Sequence, residues 1–121
     1  MTSPRVLVVD DDARNRKLVR DVLHASGVAV LEAETGAAAV GLAREHRPDV
    51  VLMDVRLPDL DGDAVLRLLA ADPVTADIPV VALTALSGAR AALLAAGFAG
   101  YLEKPIDVLE LPDQVRRFAT R

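Results

Sequence analysis

Acidic, hydroxyl and amine side chains stand at the ends of successive apolar runs in this sequence. The acids are Asp10–Asp12 after the first run and Asp54 after the third, while Thr84 ends the fourth run and Lys104 comes shortly after a fifth. A few carboxylates with open water positions are ligands that suit Mg²⁺. A carboxylate can also attack phosphorus in an activated donor, a reaction that needs mainly alignment and charge neutralisation. These residue types indicate phosphoryl chemistry if the fold brings them together.

The apolar runs predict a parallel β-sheet that is covered on both faces. Four of them are Val-rich and continuous, as in strands that helices bury on both sides, and they span residues 6–9, 28–31, 50–53 and 80–83, with a weaker fifth at 101–102. Helical patterns lie between and after them, at residues 18–23 ended by Gly27, 36–45 with Thr35 as N-cap, 65–69, 91–96 closed by Gly97, and 108–118. This alternation predicts one doubly wound α/β domain over residues 1–121, with helices on both faces and right-handed crossovers.

The carboxyl ends of parallel strands share one edge of the sheet, and the functional crevice of such folds lies there. If the first and third strands are neighbours, Asp10, Asp11 and Asp54 converge. Three carboxylates so close repel one another strongly, so a cation must offset their charge. Lys104 supplies one positive charge, and a hard divalent cation with oxygen ligands supplies the rest.

Each of these residues also has a purely structural interpretation. Asp11 or Asp12 could cap the helix that starts near Arg14, and Thr84 could be a helix cap as well. A single lysine such as Lys104 is most often a surface residue. Their joint position at one predicted edge of the sheet is what favours a functional site.

Composition excludes several other classes of function. The net charge of -4 and the pI of about 5.0 leave no basic footprint for nucleic acid. The absence of cysteine excludes disulfides and thiolate zinc sites. The apolar run before Asp10 is too short for a signal peptide or a membrane span, which predicts a cytoplasmic protein.

Four motifs occur together at the predicted strand ends. They are VVDD at 8–11, MDVRLPDLDG at 53–62, LTA at 83–85 and GYLEKP at 100–105. Each alone is a weak signal, but the set is specific. Over essentially its whole length the chain resembles the receiver domain of two-component response regulators. The resemblance implies a flavodoxin-like fold with a five-stranded sheet in the order 2-1-3-4-5.

The resemblance also implies the phosphoacceptor and the metal ligands. Asp54 would accept the phosphoryl group. Asp11, Asp54 and the backbone carbonyl of Arg56 would bind Mg²⁺ directly, and Asp10 would act through a bound water.

Three further residues would complete the site by the same resemblance. Lys104 would pair with the phosphoryl oxygens, and its bond to Pro105 is expected to be cis. Thr84 would donate its hydroxyl to the aspartyl phosphate, while Tyr101 swings inward. The donor would be a sensor histidine kinase or a histidine phosphotransfer protein, and a downstream protein would read the change.

Two departures from the family pattern lie near the expected output face. The loop at 86–88 is shorter than in the family. Pro112 lacks the N–H that an interior helical position uses, so the fifth helix either starts late, near Pro112, or kinks there.

A basic face on the first helix combines four residues: Arg14, Arg16, Lys17 and Arg20. A solvated face is the simpler interpretation, because charge on an exposed helix side is ordinary. A docking surface for an acidic kinase or phosphotransfer partner is the alternative.

Three functions compete. The leading one is a phosphorelay receiver that is not a turnover enzyme; the end of the chain at Arg121 favours a single-domain regulator, although an excised receiver also fits. The second is a Mg²⁺-dependent phosphatase of the haloacid-dehalogenase type, because Asp10-x-Asp12 resembles the nucleophile motif of that family. The third is a receiver-like interaction module that is never phosphorylated, which could dispense with Asp11, Thr84 or Lys104.

Overall fold

Strands and helices alternate along the chain in a computed structural model that describes residues 4–85 and 90–119. In chain order the elements are β1 (Arg5–Val9), α1 (Ala13–Ala25), β2 (Ala29–Ala33), α2 (Gly36–His46), β3 (Val50–Asp54), α3 (Gly62–Ala71), β4 (Val80–Thr84), α4 (Arg90–Ala96), β5 (Gly100–Glu103) and α5 (Leu111–Ala119). The predicted strands are confirmed with small shifts, the largest at β2, which starts and ends later than expected. Within the described ranges, every helix is too short or too polar to span a bilayer.

The five strands form one parallel sheet in the order β2-β1-β3-β4-β5, as expected. The chain leaves β1 toward β2 on one side and returns to place β3 on the other. The order therefore reverses between β1 and β3, where folds of this kind have their crevice. Val9 pairs with Met53 in this ladder, so Asp10 and Asp54 follow at neighbouring strand ends.

Alternate residues of each strand enter two separate cores. In β1, Val6 and Val8 pack on the side of α1 and α5, whereas Leu7 and Val9 pack on the side of α2 and α3. All four side chains are fully buried. Burial on both faces explains why the strands read as continuous apolar runs rather than as alternating patterns.

The start of α5 corrects one predicted boundary. The helix begins at Leu111, so Pro112 lies in its first turn, where its missing N–H costs nothing. This confirms the late start, but residues 108–110 are a turn and not the helix predicted there. The Asp107 carboxylate accepts hydrogen bonds from the backbone N–H groups of Leu109 and Glu110, which holds the turn. The shortened loop at 86–88 lies outside the described residues.

Candidate phosphoacceptor site

Three carboxylates converge at the carboxyl edge of the sheet. One ligand oxygen from each of Asp10, Asp11 and Asp54 lies within 4.8 Å of the others. Asp54 is the last residue of β3, and Asp10 and Asp11 follow β1 directly. The neighbouring positions of β1 and β3 thus produce the convergence that the sequence predicts. All three donors are carboxylate oxygens, which fit a hard cation such as Mg²⁺.

The Asp54 carboxylate is held by one hydrogen bond on each oxygen. Its Oδ1 accepts from the backbone N–H of Arg56 at 2.9 Å, and its Oδ2 accepts from Lys104 Nζ at 2.8 Å. The side chain keeps 15% of its exposure. A nucleophile needs this combination of fixed orientation and access.

Asp10 is buried beneath this pair and makes more contacts. Its Oδ1 accepts from the backbone N–H of Asp12 at 2.9 Å, and its Oδ2 accepts from Lys104 Nζ at 3.2 Å and Asn15 Nδ2 at 3.3 Å. Asp11, by contrast, is exposed. Asp11 and Asp54 are therefore the more open carboxylates of the three.

Lys104 forms ion pairs with two of these acids at once. Burial lowers the pKa of its ammonium, but the hydrogen bond to Asp54 and the negative charges of Asp10 and Asp54 outweigh that effect. The net pKa of Lys104 lies above its usual value. The group is therefore a fixed cation at neutral pH, and its bond to Pro105 is cis, as expected.

A pocket opens above the acids and gathers most of the predicted residues. It is lined by Asp11, Asp54, Val55, Arg56, Thr84, Ala85 and Lys104. Thr84 is buried, and its carbonyl accepts the backbone N–H of Lys104 at 2.7 Å. The hydroxyl-bearing end of β4 and the amine-bearing segment after β5 are thereby held side by side.

Tyr101 lies outside this pocket. It is half-buried, packs against the core on the α2 and α3 side, and lines a groove beside α5 with Gln114 and Phe118. Its place in β5 is opposite Ala82, two positions before the pair that Thr84 makes with Glu103. The predicted switch residue thus lines a different surface from the pocket above the acids.

The loop between β3 and α3 is anchored at several points. Gly62 donates its N–H to the Val55 carbonyl at 3.0 Å, and a Cβ at Gly62 would stand 3.0 Å from the Val55 Cα. Asp59 accepts hydrogen bonds from Gly36 and Ala37 at the start of α2, which hold the pKa of its carboxyl below the usual value. These contacts explain why Gly stands at 62 and fix the segment that carries Arg56.

Asp12 has a structural role. It is the N-cap of α1, and its Oδ1 accepts the backbone N–H of Arg14 at 2.8 Å. The cap therefore explains the second acid of the Asp10-x-Asp12 motif. The phosphatase alternative is not favoured.

The interpretation of helix one as a solvated basic face is wrong for Arg16. The Arg16 side chain is only 11% exposed and forms ion pairs with Glu32 and Glu34, while Arg20 also pairs with Glu32. Arg14 and Lys17 are exposed. Arg16 and Asn15, which both bond to Asp10, are the site residues that sequence reasoning missed.

Comparison with known proteins agrees with this geometry. The profile of the response regulator receiver domain matches residues 6–116. The polar-differentiation response regulator DivK of Brucella anthropi is 37% identical over 115 residues, which cover 93% of this chain and 94% of that protein.

Solved structures of the same family superpose over nearly the whole chain. The receiver domain of the sensor histidine kinase PA1611 from Pseudomonas aeruginosa, with a magnesium ion coordinated in its active site cleft, has a TM-score of 0.88 and 35% identity, covering 98% of this chain and 99% of that one. The chemotaxis response regulator CheY4 of Vibrio cholerae has a TM-score of 0.90 and 28% identity, with coverage of 97% and 99%. The strand order, the acidic cluster with its lysine, and these matches together establish that the chain belongs to the response regulator receiver domains of two-component signalling.

Proposed function

We propose that Asp54 is the phosphoacceptor of this receiver domain, that the domain comprises residues 1–121, and that its donor is a histidine kinase or a histidine phosphotransfer protein. The observation that carries the proposal is the position of Lys104 Nζ, which lies within hydrogen-bond distance of Asp54 and Asp10 at once. A carboxylate so oriented, beside a fixed ammonium and under an open pocket, suits attack on phosphorus.

The acids offer a binding site for Mg²⁺. Asp11 and Asp54 would bind it directly with the backbone carbonyl of Arg56, and Asp10, whose oxygens already accept three hydrogen bonds, would act through a water. When bound, Mg²⁺ supplies positive charge that offsets the phosphoryl oxygens and the carboxylates.

The residues of the chain account for the transfer itself. A carboxylate oxygen of Asp54 forms the bond to phosphorus as the bond from phosphorus to the donor imidazole nitrogen breaks, and the electron pair of that bond stays on the nitrogen. The Lys104 ammonium pairs with the phosphoryl oxygens, which are strong acceptors. Thr84, buried at the pocket wall, donates its hydroxyl to the new aspartyl phosphate, and Tyr101 moves inward from its groove beside α5.

Phosphorylation with a small donor tests the assignment. The protein is incubated with acetyl phosphate and MgCl₂, and intact-mass spectrometry follows the gain of one phosphoryl group. Borohydride reduction then converts the aspartyl phosphate to homoserine, which peptide sequencing locates. We expect modification at position 54 and none in Asp54→Asn; wild-type incorporation in that variant would overturn the assignment.

Asp12→Asn is the matched control, because Asn caps helices as well as Asp. We expect it to be phosphorylated at the wild-type rate. Turnover of p-nitrophenyl phosphate that required both Asp10 and Asp12 would instead revive the phosphatase alternative.

In this proposal the domain phosphorylates and dephosphorylates itself in the cytoplasm, and the modification switches binding of a downstream protein. A pull-down with the phosphate mimic beryllofluoride present and absent tests the switch. Partners that bind only when the mimic is present support the switch. If partners bind equally with and without the mimic, and bind Asp54→Asn equally well, the chain is a phosphorylation-independent interaction module.

A further inference from the structure

A charged side chain lies in the apolar stripe of α1, directly behind the acidic cluster. Arg16 shares this stripe with Val19 and Leu23, which are fully buried. A guanidinium in such a position is costly unless its N–H donors have partners. Arg16 donates hydrogen bonds from Nη1 to the backbone carbonyl of Asp10 at 2.7 Å and from Nη2 to Glu34 at 3.2 Å, and its Nε forms an ion pair with Glu32 at 3.4 Å.

These contacts tie the segment after β1 to the end of β2. Asp10 donates its own N–H to the carbonyl of Ala33 at 3.1 Å, and the two residues that flank Ala33 are the glutamates that hold Arg16. The backbone of Asp10 is therefore held at its N–H by the end of β2 and at its carbonyl by Arg16, whose guanidinium is oriented by the two glutamates. The carbonyl of Asp10 belongs to the peptide bond that leads into Asp11, so its direction sets how Asp11 leaves the sheet.

We propose that Arg16 is a positioning residue, which orients the Asp10–Asp11 segment through the Asp10 carbonyl so that both carboxylates face a bound divalent cation. The inference rests on the proposed function, since it concerns the same Mg²⁺ site. Arg16 acts behind the acids and contacts neither the cation nor the phosphoryl group.

Positioning and simple charge predict opposite results. A cation near the site repels Mg²⁺, so if Arg16 acted by charge alone, Arg16→Met would bind Mg²⁺ more tightly. If Arg16 acts by position, Arg16→Met binds it more weakly, by roughly tenfold, the lower end of what loss of an outer contact to a metal site costs. Arg16→Lys keeps a charged donor for the carbonyl but lacks the fork that also reaches the glutamates, so we expect intermediate affinity.

The assay is isothermal titration calorimetry of the metal-free protein with MgCl₂ alone. NMR chemical shifts of the Asp11 and Asp12 backbone amides, recorded before metal is added, report the position of the segment. Arg20→Met is the matched control for charge, because Arg20 lies on the same helix and also pairs with Glu32, but its other partner is Asp21 and not the Asp10 carbonyl. Val19→Ala is the control for destabilisation, because it empties part of the core beneath the same helix. Both controls should keep wild-type affinity for Mg²⁺ even where Val19→Ala lowers the melting temperature.

Three outcomes would overturn the inference. They are an Arg16→Met affinity within twofold of wild type or tighter, an equal loss in Arg20→Met, or an equal loss in Val19→Ala. If Arg16→Met does not fold, Arg16→Lys decides in its place: affinity for Mg²⁺ equal to that of the wild type, with unshifted Asp11 and Asp12 amides, refutes positioning. Failure of the proposed function has a different signature, because then the wild type and Asp11→Asn would bind Mg²⁺ equally.

Discussion

Lys104→Met should make the metal-free protein less stable and make its stability more dependent on Mg²⁺. The substitution keeps the aliphatic stem and removes an ammonium that lies 2.8 Å from Asp54 and 3.2 Å from Asp10. Without it, the three clustered carboxylates have lost their nearest fixed positive charge. Mg²⁺ can then restore what the substitution removes.

The magnitude follows from distance and burial. At an effective dielectric constant of about 20, unit charges about 3 Å apart attract by roughly 5 kcal/mol before desolvation is counted. Removing one partner of a fully buried ion pair costs about 3–5 kcal/mol, and an exposed pair contributes about 0–1 kcal/mol. Asp10 is 1% exposed, but the side chains of Asp54 and Lys104 keep 15% and 21%. We therefore expect a loss of about 2 kcal/mol in the free energy of unfolding, or roughly 8 °C in melting temperature for a domain of this size.

Urea and thermal unfolding at pH 7, in EDTA and in MgCl₂, measure both parts of the prediction. A ligand that binds the folded state stabilises it according to its concentration and affinity. Loss of the neighbouring ammonium should tighten Mg²⁺ binding, so Mg²⁺ should stabilise Lys104→Met more than the wild type and narrow the gap between them. Lys17→Met removes an exposed lysine paired with Asp21 and should change stability by less than about 0.5 kcal/mol. Equal stability of Lys104→Met and wild type in EDTA, or equal gains from Mg²⁺, would refute the reasoning.

Three more substitutions test other parts of the fold. Backbone N–H groups of α2 lower the folded-state pKa of Asp59. Its contribution to stability is therefore present above the ordinary carboxyl pKa and is lost as the pH falls through the lower folded-state value. In urea unfolding, the wild type should be more stable than Asp59→Asn at neutral pH, and this difference should vanish in acid. Gly100→Ala would place a Cβ 2.5 Å from the Phe118 ring, so we expect a loss of about 1–3 kcal/mol in the free energy of unfolding, and addition of Phe118→Leu should recover part of it in a double-mutant cycle. Arg47 caps α2 at a φ of 47°, so Arg47→Gly should raise the melting temperature, with a gain of about 0.5–1 kcal/mol.

The fold was predictable because its strands are buried on both faces. Continuous apolar runs such as Val6–Val9 and Val50–Met53, separated by helical patterns, are best explained as strands of a parallel sheet. In that sheet Asp10 and Asp54 lie at the ends of neighbouring strands. The strand order itself came from family resemblance, because apolar runs do not state which strands are neighbours. The start of α5 was placed too early because a side chain, that of Asp107, folds the preceding residues into a turn. Hydrogen bonds of this local kind compete with helix formation and are poorly visible in hydrophobic periodicity.

The burial of Arg16 could be predicted from its position in the apolar pattern of helix one, but not from its charge. Residues 16, 19 and 23 share the i, i+3, i+7 spacing of a buried helix face, so Arg16 belongs with Val19 and Leu23 by position and with Arg14 and Lys17 only by charge. A charged residue on a buried stripe needs a charged or carbonyl partner, because the unpaired group would be expensive to desolvate. For an arginine on a helix that directly follows a strand, the available partners are the first backbone carbonyls after that strand and the acidic residues of the next strand. The spacing therefore implied the burial of Arg16 and its closeness to the acidic strand end, whereas the specific pairing with Glu32 and Glu34 required the register of β2 against β1.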